Sequence, residues 1–233
     1  MYHSWNLRLL RYLALDTALV LAAILLTHLG KHHFPAVDSA GGVSLPVLMY
    51  HSVAPVPEQQ YCVTPETLES DLRYLQAHGY ETVSPEELVA YTNGNGTLPE
   101  KPVMLTFDDG LYNNLSLVLP LLETYDMCAV VSVVGIFTDE YAPDAPHNDV
   151  YSYLTWEDLK QMHDSGRITL GSHTYDMHEN GTRQGCAKTD WETEEEYHET
   201  LYADLSLMQT RFQEELQIQP AVFAYPYGFV CSE

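Results

Sequence analysis

The sequence predicts a mostly parallel α/β sheet, barrel-like or open, because three kinds of signal coincide. Short apolar runs of strand type alternate with segments of helical periodicity from Pro46 to Tyr225. The helical segments open with capping residues and close on glycines. Residues able to do chemistry recur just after the strand-like runs, where α/β folds place their reactive loops.

Ahead of that pattern, Tyr12 to Leu29 (YLALDTALVLAAILLTHL) is an apolar run of eighteen residues interrupted by one acid, Asp16. That is close to the roughly 20 residues needed to span a bilayer as a helix. Arg8 and Arg11 precede it, so the positive-inside bias leaves the N-terminus cytoplasmic and the remainder exported. A buried helix of a soluble fold is disfavoured, since no polar face recurs between Ala18 and Leu26. A cleaved signal peptide would need a small-residue site, and only poor ones occur near Ala36 and Ala40. The expected organisation is therefore a cytoplasmic tip and signal anchor over 1–30, a linker over 31–45, and an exported domain over 46–233.

Within that domain Pro46 to His51 reads as the first strand. Thr64 caps a helix with Pro65 at its first position, Leu68, Leu72 and Leu75 on its core face, and Gly79 as its stop. Ser84, Pro85 and Glu87 form a capping box for a second helix. Val103 to Phe107 is a strand, Leu115 to Tyr125 a helix, and Cys128 to Phe137 (CAVVSVVGIF) another strand. Thr155 and Asp158 open a short helix that Gly166 ends, followed by the strand Ile168 to Ser172. Glu192 to Gln217 is the longest helix, with Tyr197, Leu201, Leu205, Met208, Phe212 and Leu216 along one face. Ala221 to Tyr225 closes the series as a strand.

Composition excludes more than it assigns. The chain holds 33 acidic and 10 basic residues, a formal net charge of −23, which repels phosphate backbones and excludes nucleic acid as a partner. Its four cysteines, Cys62, Cys128, Cys186 and Cys231, form no C-x-x-C pair, so neither a zinc ribbon nor a thioredoxin-like motif is indicated. Their pairing stays open between disulfides and free thiols.

Three strand ends carry the chemistry. Asp108 and Asp109 follow the strand Val103 to Phe107, with Gly110 to turn the chain. Two adjacent carboxylates can divide labour, one on a metal and one free as a base. His173 and His178 lie five positions apart after the strand Ile168 to Ser172. With a carboxylate from another strand end they make a set of two histidines and one carboxylate, suited to zinc or a related divalent ion. Tyr225, Pro226, Tyr227 and Gly228 form a tight turn whose backbone N–H groups can point into such a site.

The segments LMYHSV (Leu48 to Val53), TFDDG, SHTYDMH and FAYPYG together resemble the NodB-type polysaccharide deacetylases, carbohydrate esterase family 4. The stretch TPETLESDLRYLQAHGYETVSPEEL is similar to a branch of that family acting on extracellular poly-N-acetylglucosamine and related glycans. The resemblance runs from about Val47 to Gly228 and implies a distorted (β/α) barrel. It implies Asp109, His173 and His178 as ligands of one divalent metal, zinc first, with cobalt, nickel or iron as alternatives. It implies Asp108 as general base, the Tyr227 backbone N–H as oxyanion donor, and His51, Tyr225 and Pro226 on the substrate side. The substrate implied is an N-acetylated cell-surface or wall polysaccharide. Two departures stand out: Ala224 occupies a place where many members carry Arg, and the chain ends at Glu233, before the family's later acidic Leu-Asp-type motif and its Leu-x-His general acid. A truncated domain is therefore expected, and a non-catalytic glycan-binding or scaffold protein is the alternative to an active enzyme. A metallo-hydrolase or polysaccharide lyase on a similar barrel is a more distant third.

Overall fold

The computed structural model describes residues 42–141 and 146–230. The expected anchor, the linker up to residue 41, and Cys231 lie outside them. Among the described residues no helix is long and apolar enough to cross a membrane.

The centre of the domain is a five-stranded parallel sheet. It runs β1 (Val47–Tyr50), β5 (Pro102–Phe107), β6 (Ala129–Val133), β7 (Ile168–Ser172), with β4 (Glu81–Thr82) pairing separately with β5. A second, parallel pair is β2 (Ser52–Val53) with β3 (Cys62–Val63). Among the described residues no pairing joins β7 back to β1, so the sheet is open there. β6 is buried along its whole length and β5 nearly so, as expected of parallel strands covered on both faces. The register sets Tyr50 opposite Phe107, Phe107 opposite Val131, and Val133 opposite Ser172. β1 and β5 thus end level with each other, and β6 and β7 end together two residues further along the register.

The helices form where caps and periodicity place them. Thr64 caps α1 (Pro65–Ala77) by accepting from the Thr67 N–H, and Leu68, Leu72 and Leu75 are its buried residues. Ser84 and Glu87 close a reciprocal capping box on α2 (Pro85–Thr92), each satisfying an N–H that the first turn leaves without a partner. A π-helical turn, Asn114–Val118, leads into α3 (Leu119–Tyr125). Thr155 and Asp158 box the start of α5 (Trp156–Asp164). The long helix α6 spans Glu194–Leu216, with Tyr197, Met208 and Phe212 buried and Leu201, Leu205 and Leu216 half-buried.

Two expected strands come out differently. The run Cys128 to Phe137 is a strand only to Val133, and Gly135–Glu140 is a short helix, α4. Apolar residues run unbroken across the junction, so no change of period marks it. Gly135 marks it sterically: a Cβ there would stand 2.5 Å from Tyr175 Cδ2 and 2.8 Å from Met208 Sδ. Ala221 to Tyr225 runs beside β7 with three backbone hydrogen bonds, Ala221 N–H to Leu170 O, Ser172 N–H to Val222 O and Ala224 N–H to Ser172 O. The pairing amounts to a single parallel bridge, Ser172 with Phe223, and not a regular strand.

Candidate metal centre and cleft

The three reactive turns share a backbone feature. Asp109 (φ 75°), Thr174 (φ 72°) and Tyr227 (φ 56°) are non-glycine residues in the left-handed region. Each such residue costs on the order of 1 kcal/mol, and such strain gathers where side-chain direction matters more than backbone comfort. Gly110 (φ 74°) completes the first turn, and a Cβ there would lie 2.9 Å from a Val133 methyl.

These turns bring together Asp109, His173 and His178, whose ligand atoms all lie within 4.8 Å of one another. Asp109 Oδ1 is 3.1 Å from His178 Nε2 and 3.6 Å from His173 Nε2. Around a tetrahedral zinc with ligands at about 2.1 Å, neighbouring donor atoms stand roughly 3.4 Å apart, so the two observed separations bracket the requirement. Asp109 Oδ1 is also buried with no hydrogen-bond partner. His173 Nδ1 lies 2.9 Å from the Ala224 carbonyl, which can only accept, so Nδ1 carries the proton and Nε2 turns its lone pair toward Asp109. An anionic oxygen and an imidazole lone pair facing each other, with a nitrogen of the second imidazole 3.1 Å from the same oxygen, form a set that a cation would bridge. The residues present fit a divalent ion.

Electrostatics agree. Burial raises the Asp109 carboxyl, but the pull of His178, His51 and His173 outweighs it and holds its pKa below the ordinary carboxylate range. Burial lowers the pKa of the His173 imidazole despite Asp108 and Asp109 nearby, which favours the neutral, ligating form. Asp108, directly before Asp109, is buried, and its Oδ1 has no partner. Burial drives its carboxyl above the ordinary range, with the Asp109 charge adding to this and His173, His51 and Ser132 opposing.

The group lies in a cleft of 380 Å³ that also takes in Met49, His51, Tyr61, Tyr225, Tyr227 and Gly228. His51 and Tyr225 therefore stand on the cleft wall. Pro226 is buried behind the turn, outside the cleft lining, with its carbonyl oxygen packed against Gly185. The Tyr227 hydroxyl reaches His178 Nδ1 at 3.4 Å.

Several contributors were not foreseen. Tyr61 packs its exposed ring on His51, with centroids 5.0 Å apart. Asn114 Nδ2 donates to the His51 carbonyl at 3.1 Å, and Asn113 ties down Val53 and Ser52 beside it. The Ala224 carbonyl and the Asp204 carboxylate, which accepts from the Tyr175 and Asp176 N–H groups, complete the support. The doubled asparagine after the Asp pair, Asn113 and Asn114, is a sequence feature that could have drawn attention to two of them.

Fold and site together define an α/β domain carrying a candidate divalent-metal centre at the C-terminal ends of parallel strands. Residues 95–232 match the family model described as polysaccharide deacetylase, and the chain belongs to that family. It is 27% identical over 202 residues to the poly-β-1,6-N-acetyl-D-glucosamine N-deacetylase of Escherichia coli, covering 78% of this chain and 30% of that protein. To the enzyme of the same name from Staphylococcus aureus it is 25% identical over 175 residues, 74% of this chain and 56% of that one. The chain thus spans under a third of the first relative and just over half of the second. Among solved structures, a de-N-acetylase from Aggregatibacter actinomycetemcomitans superposes with a TM-score of 0.69 at 27% identity, covering 79% of this chain and 80% of that one. IcaB from Ammonifex degensii gives 0.67 at 28%, covering 81% and 76%.

Proposed function

We propose that this domain hydrolyses the acetamide of N-acetylglucosamine units in a cell-surface or wall polysaccharide, releasing acetate and leaving the free amine. Asp109, His173 and His178 would hold a divalent ion, zinc first, with cobalt, nickel or iron as alternatives, and that ion would supply Lewis acidity to the reaction. Asp108 takes the proton of the attacking water at its unpartnered Oδ1, and the resulting carboxylic acid passes a proton to the leaving nitrogen as the C–N bond breaks. The Tyr227 backbone N–H stabilises the negative charge that develops on the carbonyl oxygen. His51, Tyr225 and Pro226 serve the sugar side of the cleft, Pro226 by fixing the turn. The observation that carries this reading is the buried Asp108 Oδ1, orphaned beside three convergent metal-ligand atoms.

The relatives named for poly-β-1,6-N-acetyl-D-glucosamine support that polymer as the substrate class. The anchor over 1–30, an outward-facing domain and closure of the sheet into a distorted barrel belong to the same proposal. The test is acetate release from N-acetylglucosamine oligomers with one equivalent of zinc. Asp108→Asn is expected to lower the rate by about 10²–10⁴-fold while zinc stays bound. Zinc uptake without acetate release by the unaltered protein would favour the glycan-binding alternative.

A further inference from the structure

The two histidines are only as well aimed as the four residues between them, and that segment is held almost wholly through its backbone. On one side Asp204, from α6, spreads its carboxylate over two consecutive amides: Oδ1 accepts from the Tyr175 N–H at 2.8 Å and Oδ2 from the Asp176 N–H at 2.7 Å. On the other side the Gly135 N–H donates to the Thr174 carbonyl at 3.0 Å and the Ile136 N–H to the Tyr175 carbonyl at 2.8 Å. Inside the loop Thr174 Oγ1 accepts from the Met177 N–H at 3.1 Å. α6 also supplies the steric wall, since Met208, one turn beyond Asp204, packs against Gly135.

We infer that Asp204 is a positioning residue for the metal centre, fixing the spacing and aim of His173 and His178 through the peptide groups between them. The inference rests on the metal reading given above. Only a carboxylate can accept from two N–H groups with two separate oxygens; an amide of the same shape turns an NH₂ toward one of them. Such charge-assisted bonds are roughly twice as strong as neutral ones. Asp204 is half-buried; burial raises its carboxyl above the ordinary range, and among the groups that favour its charge the two loop N–H groups come first and Arg183 after them. Groups that orient metal ligands without touching the ion typically change affinity by about 10–100-fold when removed.

The experiment is a cobalt titration of the metal-free protein, reading the dissociation constant and the visible cobalt absorption, with thermal melting alongside. Asp204→Asn is expected to weaken cobalt binding by about 10–100-fold, and Asp204→Glu, which restores the carboxylate, to recover part of that loss. Leu72→Ala, a core truncation on α1, serves as the control, lowering the melting temperature while leaving cobalt affinity unchanged. If the Asn variant does not fold, Asp204→Ser takes its place with the same expected loss. Wild-type cobalt affinity in the Asp204 variant, or a loss no greater than that of Leu72→Ala, overturns the inference alone. An unaltered protein that binds no cobalt overturns the metal reading and this inference with it.

Discussion

His173 and His178 leave the same strand end, yet they belong to two differently built regions. His173 is 3% exposed and sits on the floor of the cleft with Asp108, its Nδ1 bonded to a backbone carbonyl at 2.9 Å. His178 is nearer the rim, its side chain 17% exposed, and among the described residues its Nδ1 meets the Tyr227 hydroxyl alone, at 3.4 Å. Around it the rim is aromatic and open: Tyr61, Tyr225 and Tyr227 are all exposed. The floor is held by backbone groups of β7 and of the segment beside it. The rim is held by rings packed at tilted or edge-on angles, Tyr61 against His51, Tyr227 against His178 and Tyr225 against Phe223. A rigid floor suits fixed ligand geometry, and an open aromatic rim suits a polymer that must enter and leave.

Removing a ligand from each region should separate the two. His173→Ala and His178→Ala are both expected to lower metal affinity by more than 100-fold. Only His173→Ala should also lower the melting temperature of the metal-free protein, by about 2–6 °C, because it leaves the Ala224 carbonyl unpaired and a hole in the floor. Equal melting temperatures for the two variants would erase the distinction. On the rim, Tyr61→Ala should raise KM by up to about tenfold, on the order of 1 kcal/mol, with kcat changed less than about twofold. A fall in kcat of the same size would move Tyr61 into the reacting centre.

The smallest effect concerns the far support of the loop. Tyr175 donates its hydroxyl to Asp139, which also accepts from Trp156 Nε1 and the Arg211 guanidinium. Burial raises the Asp139 carboxyl, but these three donors outweigh it and the net pKa is lowered. A carboxyl lowered on folding contributes stability above its unfolded value of about 3.9, and loses it as the pH falls through the folded value. Asp139→Asn should therefore melt a few degrees below wild type at pH 7, and the gap should narrow in melts carried out below about pH 4. A gap that does not vary with pH would contradict this.

The sequence makes the metal-ligand set legible and its supports nearly invisible. Asp108, Asp109, His173 and His178 declare themselves because each follows an apolar run and belongs to a residue type with obvious chemistry. The capping box at Ser84 and the helix start at Thr155 and Asp158 are read equally well, being local. The Ala224 carbonyl cannot be read, since any residue at that position offers the same group. Asp204 looks like one more acid on an acidic helix, and only the fold brings it against a loop nearly thirty residues away. The helix at Gly135 is missed for a related reason: its start is set by contact with Tyr175 and Met208, both distant in sequence.

The central claim is that Asp109, His173 and His178 hold one divalent ion with Asp108 standing free beside it. It is tested most directly by calorimetric zinc titration of the metal-free protein and of two single variants, Asp108→Asn and Asp109→Asn. One equivalent of zinc bound by the unaltered protein and by Asp108→Asn, with binding lost or weakened by more than 100-fold in Asp109→Asn, is the result predicted. Undiminished zinc binding by Asp109→Asn, or its loss in Asp108→Asn alone, would contradict the assignment.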